Sequence, residues 1–231
     1  RKYEIRLAQL QYEQLGETDL AIDILNGILE QMPANETAMQ LLAQIYIDTQ
    51  KIDQAIRLLE SVSQFMRENT QQMAQHKLRI IALYIEAGHT DDAKRELRKL
   101  LRENDFVDKL AVIEHYKRIC RENDEWEEQL DLLREELAYY LHIPHDKCEI
   151  PEILQSDKKE LLSGGAEHTL REYADVSYYK LKRPEDAVPI YVLLAMRKPD
   201  DNYPRRVLNE MAEAYPDDET VREGLAKLAE G

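Results

Sequence analysis

The chain has 231 residues, and 43% of them are hydrophobic, which is typical of a folded protein rather than a disordered segment. Its formal net charge of −15 at pH 7 argues against a general nucleic-acid binder, because such a protein needs a dominant basic surface. No apolar run approaches the roughly 20 residues that span a bilayer, so we expect a soluble protein with no membrane insertion.

Two features of the sequence concern the cellular compartment of the protein, namely its cysteine content and its first residue. Cys120 and Cys148 are too few for a disulfide framework, which favours a reducing compartment such as the cytoplasm. The chain begins at Arg1 rather than Met, as a segment of a longer protein would. The missing signal peptide therefore does not identify the compartment, which stays unknown.

The first part of the chain repeats a two-helix pattern with a period of 34 residues. Tyr12 recurs as Tyr46, and Ala21 recurs as Ala55, each time 34 positions later. In both copies the Tyr ends an amphipathic stripe, a short polar turn follows, and the Ala opens a second stripe. A fixed period of this length indicates a helical repeat array, in which no unit buries its apolar face alone.

Two further units follow with small departures from this period. The third is recognisable by Tyr84 and Ala93, but Ala93 comes 38 residues after Ala55. The four extra residues fall around residues 69–74, and they predict a longer inter-repeat turn or a following helix that is longer by about one turn. In the fourth unit, Gln129 stands where the earlier units have Ala, so we expect this helix pair to pack less tightly.

An irregular stretch at residues 143–167 then interrupts the repeats. It contains Pro144, Pro151 and the pair Gly164-Gly165, which predict an insert or hinge with a short helix from Pro151 to Leu162.

The chain is therefore expected to divide into three regions. Residues 1–142 hold repeats 1–4, residues 143–167 form the insert, and residues 168–231 hold a fifth repeat and a degenerate C-terminal capping repeat. Pro189 lies inside the second helix of the fifth repeat, so we expect that helix to start late or to be kinked.

These repeats resemble the tetratricopeptide repeat family, whose unit has a Tyr late in its first helix, an Ala early in its second and a Pro at its end. The early Trp of that family is replaced here by Ile5, Met39 and Ile113. The resemblance implies an all-α, right-handed α-solenoid of five such units plus a degenerate sixth, with an irregular insert. It identifies no subfamily. It argues against the members that clamp acidic chaperone tails, because their Lys and Asn residues are missing from the first helices here.

Members of this family are usually adaptors that hold a partner in a concave groove lined by their first helices. The resemblance therefore implies a non-catalytic protein–protein interaction scaffold that binds a peptide segment of another protein and needs no cofactor. Two alternatives stay open, namely a targeting or regulatory region of a larger enzyme and a self-assembling oligomerisation module. The expected groove residues are Arg6, Leu10, Leu41, Gln44, Ile47, Arg79, Ile85, His115, Arg118, Arg121, Tyr173 and Tyr179, with Thr169 and Val176 beside the last two.

The basic members of this set suggest what the groove would bind. Arg79, His115, Arg118 and Arg121 would attract a partner with an acidic or C-terminal carboxylate group, because a guanidinium makes bidentate contacts to carboxylates. The competing interpretation is that neighbouring glutamates, namely Glu86, Glu114 and Glu122, pair with these side chains and leave the patch locally neutral, which is common on protein surfaces.

One short run has the composition of a metal site. His142, His145 and Cys148 form H-x-x-H-x-x-C and offer three donors that zinc accepts. Pro144 interrupts their spacing, however, and no second ligand pair stands at zinc-finger distance, so we predict no metal and keep this run as the weaker alternative. Catalytic motifs such as G-x-S-x-G and phosphate-binding glycine loops are absent, so we predict that the chain is not an enzyme.

Overall fold

The computed structural model describes residues 2–33, 35–63, 71–103, 108–156, 162 and 164–230. Within these ranges every regular element is helical. The helices are α1 (Lys2–Glu13), α2 (Thr18–Gln31), α3 (Glu36–Asp48), α4 (Ile52–Ser63), α5 (Gln71–Glu86), α6 (Thr90–Arg102), α7 (Lys109–Glu122), α8 (Trp126–Leu141), α9 (Ile150–Gln155), α10 (Gly165–Asp175), α11 (Pro184–Arg197), α12 (Asn202–Ala214) and α13 (Glu219–Glu230).

Twelve of these helices form six consecutive pairs, and α9 stands by itself between α8 and α10. The all-α fold of helix–turn–helix repeats is confirmed. The first helix of the third pair, α5, has 16 residues against 12 in α1 and 13 in α3, which fits the expected extra turn. The preceding residues 64–70 lie outside the described ranges.

The turn inside five of the six pairs contains a residue in the left-handed conformation. These residues are Gly16, Gln50, Gly88, Asp124 and Lys182, with φ between 57° and 75°. Such a residue just after a helix lets later N–H groups return to the last carbonyls. In the second repeat, for example, the N–H of Lys51 donates to the carbonyl of Tyr46 at 2.7 Å. In these five pairs, the short polar turns thus end the first helix in the same way.

Residues 1–115 and residues 116–231 form two compact units. In the first unit, small side chains let the helices of the first two repeats approach, since Ala8, Ala21 and Ala38 are completely buried beside Leu25 and Leu42. A core cluster of the second unit includes Tyr191, Val207, Leu208 and Met211 from α11 and α12. The expected division at residues 142 and 167 stays a prediction.

The insert contributes to the core of the second unit. After a 3-10 turn at His145–Lys147, α9 begins at Ile150 and ends at Gln155, and both Ile150 and Ile153 are buried. Most of the remaining part of the predicted 151–162 helix, residues 157–161, lies outside the described ranges.

Pro189 does not delay the helix that contains it. The expectation of a late start is wrong, because α11 begins at Pro184 and continues through Pro189 to Arg197. Proline is well suited to the first position of a helix, where no N–H is needed. At position 189 its missing N–H instead removes the intrahelical donor for the carbonyl of Glu185.

Candidate functional site

The first helix of the chain carries apolar side chains on the side opposite its core. Tyr3, Leu7 and Leu10 are 91%, 47% and 40% exposed, and their spacing of four and three residues places them on one face. The core residue Ala8 points the other way. Arg6 borders this face, and its Nη1 donates to Gln9 Oε1 at 2.8 Å.

Amide groups continue this surface on α3. The predicted Gln44 is exposed, and its Nε2 donates to Asp48 Oδ1 at 2.7 Å. The Tyr12 hydroxyl of α1 donates to Asp48 Oδ2 at 2.8 Å, and this bond is the main cause that raises the pKa of Tyr12. Asp48 therefore joins the exposed sides of α1 and α3, while Leu41 and Ile47 are half-buried beneath them.

The predicted basic residues divide between the two units. Arg79 and His115 belong to the first unit and are half-buried, as is Ile85. Arg118 and Arg121 belong to the second unit and are exposed. Arg118 Nε lies 3.9 Å from Glu122 Oε1, the partner expected for a neutral patch.

Sequence reasoning missed the partner of Arg121. Its Nη1 lies 3.2 Å from Glu172 Oε1 on α10. The same carboxylate binds Lys117 Nζ at 3.0 Å and accepts from Gln129 Nε2 at 2.9 Å. Lys117 also donates to Glu136 Oε2 at 2.8 Å. A buried charge network therefore connects α7, α8 and α10.

Lys117 is 3% exposed and keeps its charge inside the protein. Burial by itself would lower its pKa, but the hydrogen bonds to Glu136 and Glu172 outweigh burial and raise the pKa above its ordinary value. One signal of this arrangement was present in the sequence, because Lys117 interrupts the apolar stripe of Ile113, Tyr116 and Cys120 on α7. The network holds helices together.

The fifth repeat contains a π turn at Val176–Lys180. The N–H of Leu181 donates to the carbonyl of Val176, five residues back, at 3.1 Å. One extra residue per turn rotates the preceding helix against the following one. Thr169 and Val176 are buried, so their expected place in the groove is wrong, whereas Tyr179 remains 36% exposed.

The side chains that reach from α10 to α12 are Arg171 and Asp175. Arg171 pairs with Asp201, the residue that caps α12. Asp175 Oδ1 accepts hydrogen bonds from the hydroxyls of Tyr191 at 2.5 Å and Tyr203 at 2.8 Å. Burial is the main cause that raises the pKa of both phenols, followed by these bonds.

The half-buried Tyr203 has two guanidinium groups near its ring. The Cζ atoms of Arg171 and Arg206 lie 5.4 Å and 5.3 Å from its ring centroid. The hydroxyl of Tyr179 donates to Glu210 Oε2 at 3.3 Å beside them. Rings and guanidinium groups of this kind are frequent in protein-binding surfaces, because they combine apolar area with directed hydrogen bonds.

Tyr173 lines a cleft of the second unit. The cleft has a volume of about 400 Å³, with α11 as its floor and α9 and α13 on its sides. Burial raises the pKa of the Tyr173 hydroxyl. The apolar lining includes Leu154 of α9 and Leu193 and Met196 of α11.

The three residues of the alternative metal run do not converge among the residues that the structure describes. His142 takes the left-handed conformation at the end of α8, His145 Nδ1 lies 3.5 Å from Glu135 Oε2, and Cys148 is buried. A different trio, Cys120, Glu125 and Glu128, has its potential ligand atoms within 4.8 Å of one another. Glu128 already accepts a hydrogen bond from the hydroxyl of Tyr116.

No helix in the described part of the chain is both long enough and apolar enough to cross a membrane.

Comparison with known proteins shows which family the first repeats resemble. Residues 12–78, which contain both Tyr12 and Tyr46, match the model of a tetratricopeptide repeat family. No curated protein matches the chain. Two solved structures of nearly identical TPR-like repeats, attributed to a kinesin light chain of Podosopora anserina, resemble it weakly. One is 15% identical, with a TM-score of 0.45 over 85% of this chain and 95% of that chain.

The second structure, a point variant of the first, is 16% identical, with a TM-score of 0.45 over 86% of this chain and 95% of that chain. Likenesses of this size carry no argument about function. The family match rests instead on the repeats themselves, whose Tyr and Ala positions lie in the observed helix pairs. Residues 12–78 of the chain are therefore similar to the tetratricopeptide repeat family.

Proposed function

We propose that the chain is a non-catalytic scaffold that binds a peptide segment of a partner protein along the exposed sides of its first helices. Tetratricopeptide repeats mediate protein–protein interaction. The segment would contact α1 and α3 in the first unit, at Arg6, Leu10 and Gln44.

The observation that carries this proposal is the exposed face of α1 next to the amides of α3. Leu10 is 40% exposed beside Tyr3, which is 91% exposed, although burying such side chains is favourable. Gln40 and Gln44 are exposed on α3, and an amide side chain both donates and accepts hydrogen bonds. Such a surface suits a peptide with apolar side chains and an accessible backbone.

An acidic or C-terminal group of the partner would bind Arg79 in the first unit or Arg118 in the second. Arg118 has only a loose contact with Glu122, 3.9 Å away, which a ligand carboxylate can replace. Arg121 is a weaker candidate, because Glu172 already engages its guanidinium.

Two matched leucine variants test the proposal in an affinity pull-down. Leu10→Glu places a charge on the exposed side of a first helix, whereas Leu20→Glu does the same on α2, where Leu20 is 46% exposed. We expect a partner retained by the unmodified chain to be lost with Leu10→Glu and kept with Leu20→Glu, provided that both variants melt cooperatively.

Equal retention by both variants would place the partner elsewhere and contradict the proposal. Light scattering on the same samples addresses self-assembly. If Leu10→Glu converts an oligomer to a monomer, the apolar face of α1 is a contact between copies and not a peptide site.

A further inference from the structure

The cleft above α11 belongs to the second unit. Its polar rim includes Glu185 and Asp186 in the first turn of α11, with Glu223 and Lys227 on α13. Three carboxylates thus face one ammonium group. The floor along α11 from Glu185 to Met196 is about 17 Å long, since a helix rises about 1.5 Å per residue.

The carboxylates of this rim outnumber the single ammonium group among its described residues. Within the described residues, Glu185, Asp186 and Glu223 form no ion pair or side-chain hydrogen bond, and the nearby Arg183 is engaged by Glu127. Burial, followed by the charge of Glu185, raises the pKa of the Asp186 carboxyl. Pro189 adds a carbonyl without a helical donor at Glu185. This end of the cleft therefore offers acceptors and negative charge.

The remainder of the cleft is apolar and partly open. Met196 is 52% exposed, and Leu154 and Leu193 are half-buried. An apolar floor bordered by walls from two helices is the geometry in which amphipathic helices are bound by other proteins. Charge complementarity selects the occupant, because the chain carries −15 and a second copy would be repelled.

We propose that this cleft binds an amphipathic helix of a partner protein, with aliphatic side chains over α11 and a Lys or Arg beside Glu185 and Asp186. Of the residues expected in the groove, only Tyr173 lines this cleft, and the proposed function does not use Tyr173, so the docking surface goes beyond that function.

The test uses fluorescence anisotropy with two labelled peptides of about 14 residues, the length that covers such a cleft with helix. One has Leu at i, i+3, i+4 and i+7 with Lys on its polar face, and its twin has Glu in place of Lys. We expect the Lys peptide to bind the full chain at about 150 mM salt, where long-range attraction is screened. The Glu twin should not bind.

Protein variants then locate the site. We expect Glu185→Gln with Asp186→Asn to weaken binding of the Lys peptide about ten-fold, as loss of a charge-assisted pair would. The matched control is Asp200→Asn with Glu213→Gln, which removes the same charge from exposed positions outside the cleft and should change nothing. Met196→Asp should abolish binding, whereas Met32→Asp, at a 46% exposed methionine of the first unit, should not.

Three results would overturn the proposal. Equal binding of the Glu twin would show that the carboxylates do not recognise the ligand, and equal weakening by the control pair would show general attraction to an acidic protein. Loss of binding with Leu10→Glu but not with Met196→Asp would move the peptide to the first-helix face. That last result would support the proposed function while rejecting the cleft.

Discussion

Two glycines inside helices have opposite surroundings. A Cβ added to Gly27 of α2 would meet nothing within 4 Å. A Cβ added to Gly224 of α13 would lie 2.5 Å from Cγ1 of Val188 and 3.2 Å from Cγ2 of Val192, both on α11. Gly224 therefore permits close contact between two helices, whereas Gly27 only adds freedom to the unfolded chain.

We expect Gly27→Ala to stabilise the protein by about 0.5–1 kcal/mol, because alanine is the better helix former. Gly224→Ala should lower the free energy of unfolding by about 1–3 kcal/mol, because the new methyl group overpacks the contact with α11. Urea unfolding followed by circular dichroism measures both. Stabilisation by both substitutions would mean that α13 moves away from Val188 at little cost.

At the scale of helices, the charge network around Lys117 leads to a second prediction, which concerns the stability of the protein. Lys117→Met should lower the free energy of unfolding at pH 7 by about 3–5 kcal/mol, because it leaves the carboxylate of Glu136 in a buried site without its cation. Adding Glu136→Gln removes that carboxylate charge and should restore part of the loss. If the double variant is no more stable than Lys117→Met, packing of the lysine stem and not charge accounts for the effect.

The pH dependence of the unmodified chain follows from the raised pKa of Lys117. A group whose pKa is higher in the folded state stabilises folding fully below its unfolded pKa, and this contribution is lost as pH rises through the folded pKa. We therefore expect the stability difference between the unmodified chain and Lys117→Met to persist at neutral pH and to shrink at alkaline pH, above the range where free lysine titrates.

The 34-residue period was enough to predict the helix pairs, because recurrent Tyr and Ala positions set the helix contacts regardless of the exposed sequence. It was not enough to predict which side chains of the fifth repeat are exposed. That prediction placed Thr169 and Val176 in the groove from helical spacing alone, whereas both are buried, and it also missed the π turn at Val176–Lys180. No local residue pattern announces such a turn, since Ser177 and the flanking tyrosines are common in ordinary helices.

The network was missed for a related reason. The sequence does not show which exposed arginine has an acidic partner. The partner of Arg121 lies on α10, 51 residues further along the chain. The cleft likewise depends on α9, α11 and α13 meeting in space. Contacts between distant segments depend on how the helices pack, which the period of a repeat does not contain.

At the scale of the whole molecule, the net charge of −15 should oppose compaction through repulsion among carboxylates. We expect the thermal midpoint to rise by a few degrees between about 20 and 300 mM NaCl, as the Debye length falls. Buried pairs such as Lys117–Glu136 are screened less and should change little. A midpoint that falls with salt would mean that surface ion pairs outweigh the general repulsion.

The left-handed turns have a consequence for how stability is distributed along the chain. Glycine adopts this conformation without strain at Gly16 and Gly88, whereas Gln50, Asp124 and Lys182 bear a steric cost of about 1 kcal/mol each. The stability of a repeat array is approximately a sum over its units and their contacts. The strain in each turn therefore mainly affects the free energy of local unfolding of its own repeat. Replacing Gln50, Asp124 or Lys182 with glycine would relieve this strain and so change the stability of one repeat at a time, at positions outside the residues that we propose to bind a partner.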